Sequence, residues 1–475
     1  MLFNSLDFLL FFPIVIFLYF IIPHKFRWAL LLIASYYFYM NWKAGYALLL
    51  GAVTLINYSA GLLIERVKTN KVKKTVLMSA IILSLSTLFY YKYFNFFGES
   101  VNAMFALLKI SINISLPEII LPVGISFFTF QALSYSIDVY RGDMKAEKHL
   151  GIFSLFVSFF PQLVAGPIER ATNLLPQFYE KHKFDPDKTT EGLRLMLWGM
   201  FKKVVVADRI AIYVNAIYNN HEHHSGLSFA LATVLFAFQL YCDFSAYSDL
   251  ARGSARIMGF DLMVNFKFPY FSESVTKYWQ KNHISLTTWF MDYVYFPLVE
   301  KNPTIIRLCI GTFITFLLSG LWHGAEWSFV FWGIWQAVFL IYDILIRKKR
   351  KKINKKLKEI HLYKISLYSR YLITFIILCI GLIFFRAKNV NQGFEILKGI
   401  FTNKPGGLFV DAKTLVFSFL SIILLLVMEY DSDYDINEFW GNMALVKRWS
   451  CYLITIIFII FLGVLDESQF IYFQF

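Results

Sequence analysis

Charge is scarce in this chain. Of 475 residues only 16% are Asp, Glu, Lys or Arg, while 57% are hydrophobic and 19% aromatic. A water-soluble protein of this size carries about 25% charged residues, so the deficit excludes a soluble globular protein and marks a polytopic integral membrane protein. Cysteine is rare as well: Cys242, Cys309, Cys379 and Cys451 lie singly in apolar runs. With no C-x-x-C and no histidine at ligand spacing, they read as buried thiols, and neither a disulfide framework nor a zinc site is indicated. The first apolar run, Leu6 to Ile22, lacks a basic leader and an A-x-A-like exit, and reads as the first span and not as a cleavable signal. No internal repeat, low-complexity segment or long linker divides the chain, which is expected to form one all-α membrane domain over residues 1–475.

Lys and Arg number 46 against 32 Asp and Glu, a net charge of +14. In a membrane protein such an excess is expected of cytoplasmic loops, so it reports topology and not nucleic-acid binding. The basic residues gather at His24 to Arg27, Arg66 to Lys74, Arg141 to Lys148, Arg252 to Arg256 and Arg347 to Lys358 (RKKRKKINKKLK). About twelve apolar runs separate them. These are Leu6 to Ile22, Trp28 to Met40, Ala44 to Ile64, Thr75 to Phe94, Ile119 to Asp138 and Val204 to Tyr218. Leu227 to Tyr247, Ile305 to Leu321, Trp327 to Ile346, Tyr371 to Phe385, Leu415 to Met428 and Cys451 to Leu465 follow. With the clusters cytoplasmic the spans alternate without conflict and both termini lie outside. Two stretches fit neither a span nor a solvated loop: His149 to Leu175, broken by Pro161, Gly166 and Pro167, and Tyr270 to Val299, aromatic yet carrying Glu273, Lys277, Lys281, His283 and Asp292. They are expected to be re-entrant or interfacial helices, because irregular backbone at membrane depth survives only inside protein or beside a water-filled cavity.

The most telling stretch is Leu317 to Ala337, LLSGLWHGAEWSFVFWGIWQA, where His323 stands between Trp322 and Gly324. An imidazole at membrane depth is either held by a neighbouring polar group or there to move a proton. A second one, His283, lies forty residues earlier. Neutral histidine is the side chain whose basicity lies nearest working pH, so it suits taking a proton from a hydroxyl nucleophile. Between Tyr241 and Arg256, Asp243 and Ser245 are placed to line a polar cavity, while the spacing of Asp249, Arg252 and Arg256 predicts a salt-bridged helix face. His221, His223 and His224 read as a polar external turn. The terminal FIYFQF reads, by composition, as an interfacial aromatic belt.

Several long motifs occur together: LPVGISFFTFQALSYSIDVYRG, SFFPQLVAGPIER, QLYCDFSAYSDLARGSARIMGF running into NFKFPYFSES, KYWQKNHISLTTWFMDYVYFPL around His283, and SGLWHGAEWSFVFWGIWQA around His323. In this order, over Leu121 to Ala337, they resemble the membrane-bound O-acyltransferases, in particular the bacterial branch that serves alginate O-acetylation. The chain departs from that pattern at Gln280, Lys281 and Asn282, and at Val299 and Glu300.

The resemblance implies a central tunnel, with re-entrant helices around it, through which an acyl group passes from a cytoplasmic thioester to a hydroxyl on the outer side. It implies His323 as the family's near-invariant histidine and His283 as its second, with Trp279, Asn282, Trp322, Asp243 and Ser245 lining the passage. Residues 1–118 would be scaffold spans, 119–346 the catalytic core and 347–475 the remaining spans and tail. Phe470, Tyr472 and Phe475 resemble the F-x-Y-x-x-F ending of the small membrane peptide of the D-alanylation system, which implies Tyr472 as an acyl carrier, with Phe470 and Phe475 lining the passage beside it. The expected donor is acetyl-CoA, with no tightly bound cofactor and no metal. The expected partners are membrane lipids and an extracytoplasmic serine-esterase-like acetyltransferase, in a bacterial inner membrane. D-alanyl transfer from a carrier protein to teichoic acid is the alternative within the class, and a secondary transporter the alternative outside it.

Overall fold

The computed structural model describes residues 1–300, 303–402, 412–431, 436–464 and 470–471. Among the described residues all regular structure is helical. Seven helices of the described residues are long and apolar enough to cross a bilayer: Tyr46–Arg66, Asn70–Leu107, Leu227–Ile257, Ile305–His323, Trp327–Glu359, Tyr363–Arg386 and Leu445–Leu462. The chain is therefore an all-α multi-pass membrane protein. Other expected spans are shorter helices, such as Leu6–Ile21, His24–Met40 and Ile125–Arg141. The run expected over Val204 to Tyr218 is a wide π-helical stretch, Phe201–Ala207, followed by Asp208–Asn219.

The helices form two compact units. One comprises residues 1–193 and 250–263. Its helix Ile125–Arg141 is buried almost throughout, and its polar residues are answered from neighbouring helices: Ser136 Oγ donates to Asn57 Oδ1 at 2.8 Å, and Asn57 Nδ2 donates to Ser84 Oγ at 3.0 Å. Short polar side chains join apolar helices in this way when lipid offers no competing partner. The stretch His149 to Leu175 is broken as expected, into Leu150–Ser158 and Ala171–Tyr179. Its Glu169 is fully buried and accepts from Asn173 Nδ2 at 2.8 Å and from the Met263 amide. Arg256, expected on a salt-bridged face with Asp249 and Arg252, bonds Glu191 at 2.7 Å and also Asp261.

The second unit comprises residues 194–249 and 264–475 and carries the histidines. Tyr270 to Val299 resolves into the short helix Val275–Trp279 and one continuous helical run made of Ile284–Phe290, the π-helical Met291–Tyr295 and Phe296–Val299. The helices Ile305–His323 and Trp327–Glu359 form a tight hairpin in which Gly320 and Gly333 face each other; a Cβ on Gly320 would lie 2.5 Å from the Phe329 carbonyl oxygen. Only residues without side chains allow two helix backbones that close. Trp327–Glu359 has 33 residues, about 50 Å, so it outruns a bilayer core of about 30 Å and carries the basic cluster beyond it. The four thiols are free, Cys242 and Cys379 buried, Cys309 and Cys451 half-buried.

Candidate active site

His323 is the last residue of its helix, with Gly324 as the cap, and is 4% exposed. Rings surround it: Trp322 and Trp332 at 5.0 Å between centroids, Phe385 at 5.3 Å and His283 at 6.3 Å. His283 reaches this place by another route. It precedes the helix Ile284–Phe290 in a left-handed conformation, φ 46° and ψ 52°. For a residue with a Cβ that conformation costs about 1–2 kcal/mol, and strain of this sort persists only where the surroundings enforce it.

The enforcement comes from Asn265. Its carbonyl accepts from the Ile284 amide at 2.9 Å, and its Oδ1 accepts from the Ser285 hydroxyl at 2.9 Å and the Ser285 amide at 3.2 Å. The same Oδ1 is 3.3 Å from His283 Nδ1, and Asn265 Nδ2 donates to Ser248 Oγ at 3.0 Å. With Asn265 Oδ1 as acceptor, Nδ1 carries the proton and Nε2 is left as the basic atom. His283 is 1% exposed, and burial of that extent disfavours its charged form.

Trp279 belongs to the same cluster: its Nε1 donates to Gln336 Oε1 at 3.2 Å, and its ring lies 5.8 Å from Trp332, which touches His323. Trp322 touches both histidines, at 5.7 Å from His283. Asn282 is half-buried at the end of the preceding turn, where its carbonyl accepts from Thr287 Oγ1 at 3.3 Å. Ser245 is buried, its Oγ without a hydrogen-bond partner among the described residues.

Asp243 builds a second cluster. It is 3% exposed, and its Oδ1 lies 2.8 Å from Nζ of Lys203, a lysine with no exposure, which also bonds Asp208 at 2.9 Å. The other oxygen of Asp243 accepts from the Ile471 amide at 2.7 Å. Phe470, 1% exposed, lies under Lys203 Nζ at 4.2 Å and 5.0 Å from the Tyr247 ring. The chain leading to Tyr472 is thus pinned by a carboxylate, an ammonium and the Tyr247 ring; Tyr472 and Phe475 themselves lie outside the described residues. The neighbouring lysine supplies a parallel network, Lys202 to Asp249 at 2.6 Å, with Glu429 taking the Tyr241 hydroxyl at 2.7 Å.

The two clusters share the helix Leu227–Ile257. Asp243 and Tyr247 hold the tail, while Phe244, one residue on from Asp243, packs edge-on to His283 at 4.6 Å and Ser248 supports Asn265. Sequence reasoning missed Lys203, Asp208, Asn265 and Gln336. The signal for the first was available in FKKVVVAD, two lysines and an aspartate bracketing an apolar run.

A family model described as MBOAT, membrane-bound O-acyltransferase family, matches residues 149–385. A relative from Azotobacter vinelandii named "probable alginate O-acetylase AlgI" is 35% identical over 93% of this chain and 86% of its own length. The chain belongs to the membrane-bound O-acyltransferase family. A peptidoglycan O-acetyltransferase of Helicobacter pylori is 27% identical over 94% of this chain and 91% of its own length. A teichoic acid D-alanyltransferase of Bacillus subtilis is 27% identical over 56% of this chain and 69% of its own. The matched region of this membrane-bound O-acyltransferase contains both histidines, Asn265, Asp243 and Lys203. The protein is a multi-pass membrane enzyme of the O-acyltransferase class, and indole and phenyl rings surround the buried His323 imidazole.

Proposed function

We propose that this enzyme moves an acetyl group from acetyl-CoA, on the side of the basic clusters, through a tunnel to an acceptor on the opposite side, for O-acetylation of an envelope polysaccharide. The observation that carries the reading is the approach of His283 and His323, 6.3 Å between ring centroids, from two separate segments of one buried aromatic cluster. In this reaction His323 takes the proton of the attacking hydroxyl, the oxygen adds to the thioester carbonyl, and the thiol leaves with a proton. General-base help of this sort is worth typically about 10²- to 10⁴-fold. His283, fixed by Asn265, orients the other reactant.

The acceptor hydroxyl in this proposal is Tyr472, which passes the acetyl to a serine-esterase-like partner outside a bacterial inner membrane. Support comes from Phe470 and Ile471, locked by Lys203, Asp243 and Tyr247 on the helix whose next residue touches His283. The names of the Azotobacter and Helicobacter relatives favour acetyl transfer to a polysaccharide; that of the Bacillus relative favours D-alanyl transfer to teichoic acid. Reconstitution with labelled acetyl-CoA tests the proposal. The expected outcome is label on Tyr472, lost in Tyr472→Phe and in His323→Ala. Consumption of a carrier-bound D-alanyl thioester in place of acetyl-CoA would install the second reading, and unchanged acceptor acetylation in Tyr472→Phe would remove the relay.

A further inference from the structure

The spans Trp327–Glu359 and Tyr363–Arg386, with Glu273 to Val275, line a cavity of about 370 Å³ that neither histidine lines. Its lining changes character along both helices in the same direction. At one end are Phe339, Ile346, Ile373 and Ile377; at the other are Lys349, Arg350, Ser366 and Arg370. On the first helix Phe339, Tyr342, Ile346, Lys349 and Ile353 recur at three- and four-residue spacing, a stripe of about 20 Å along one face. Tyr342 and Ile373, on the rim, are 54% and 55% exposed, so the cavity opens sideways, where a span meets lipid.

The charged end holds unsatisfied capacity. Arg350 is neutralised by Asp343, which also accepts from Thr276 Oγ1 at 2.9 Å and from the Thr276 amide at 3.0 Å. Arg370 is paired with Glu273 at 3.2 Å, yet its two terminal guanidinium nitrogens are buried and make no hydrogen bond among the described residues. Only its Nε is bonded, to the Ser366 carbonyl at 3.2 Å. Lys349 is exposed, with no ion pair among the described residues. A guanidinium beside a cavity with hydrogen-bonding capacity to spare suits phosphate oxygens, which it takes in pairs.

We propose that this cavity is a binding site for one anionic phospholipid of the leaflet on the basic side. Its phosphate is taken by Arg370 and Lys349, and an acyl chain lies against Ile346, Ile373 and Phe339. The gradient from charge to hydrocarbon, the sideways opening and the position at the membrane end of the basic helix all match a lipid. A soluble nucleotide would leave the apolar half unfilled. The site is independent of the acyl donor.

The test is native mass spectrometry of the full chain taken from vesicles of mixed phosphatidylglycerol and phosphatidylcholine, after extended detergent washing. One phosphatidylglycerol per chain is expected to remain, with phosphatidylcholine removed. Arg370→Gln is expected to lower retention about tenfold, the size of one charge-assisted contact. Ile373→Trp, which fills the cavity from its exposed rim and leaves the pair with Glu273 intact, is expected to do the same, so a loss of folding around Arg370 is not mistaken for loss of the site. Equal retention of both lipids, or unchanged retention in both variants, overturns the proposal. So does displacement of the lipid by added coenzyme A, which would reassign the cavity to the donor, or by inorganic phosphate alone, which would reduce it to a simple anion site.

Discussion

The two histidines end up side by side but are held by opposite means. His283 depends on polar contacts: one asparagine bonds its ring nitrogen, the hydroxyl and amide two residues on and the amide between, while the backbone is driven into a left-handed turn. His323 is set by the end of a rigid helix and by indole and phenyl rings. A ring tied at Nδ1 has a fixed tautomer and direction, which suits orienting a reactant. A ring caged by aromatics has a position and dry surroundings, which suits exchanging a proton.

The sharpest way to break this comparison is to remove the caged ring. His323→Ala is expected to lower acyl transfer about 10²- to 10⁴-fold with the protein still folded, read as thioester consumed per minute by purified enzyme. Next is the charge cluster that holds the tail. Asp243→Ala leaves Lys203 buried with Asp208 alone, and breaking a buried pair of this kind costs about 3–5 kcal/mol, so the thermal transition in detergent is expected to drop steeply. A transition within a degree of wild type would mean that the cluster contributes nothing to stability.

Asn265→Ala removes the support of His283 and leaves buried partners unsatisfied, at about 1–3 kcal/mol. If His283 orients a bound reactant, kcat falls while KM holds; an unchanged kcat would leave Asn265 with a merely structural part. The smallest effect is expected of Gln336→Leu, which deprives Trp279 of one hydrogen bond at a cost of about 1 kcal/mol and spares transfer, because Trp279 still packs on Trp332. A large loss of activity there would move Trp279 from the wall of the site to its chemistry.

The histidines could be found in the sequence because an imidazole in an apolar, Trp-rich run is costly and therefore conspicuous. The broken segments were visible for a similar reason, since Pro161, Gly166 and Pro167 interrupt an apolar run. Lys203 was hidden by a boundary. Beginning the span at Val204 turned two lysines into loop residues, and nothing local announces that Asp243, forty residues on, cancels the charge of one and Asp249 that of the other. Asn265 was hidden by ordinariness, since an asparagine between helices passes for a turn residue until its five hydrogen bonds are seen together. The π-helical stretch Phe201–Ala207 carries no mark at all, because the same residues suit an α-helix equally well.

The contact between Gly320 and Gly333 also bears on motion. Two spans meeting backbone to backbone move as one body, and His323 stands at the turn that joins them. His283 instead sits in the non-helical link between the five-residue helix Val275–Trp279 and the run that starts at Ile284, a link held largely by one asparagine. Segments of that construction open at lower free energy than packed long helices. Breathing of the aromatic cluster is therefore expected on the His283 side, with the His323 hairpin as its fixed wall.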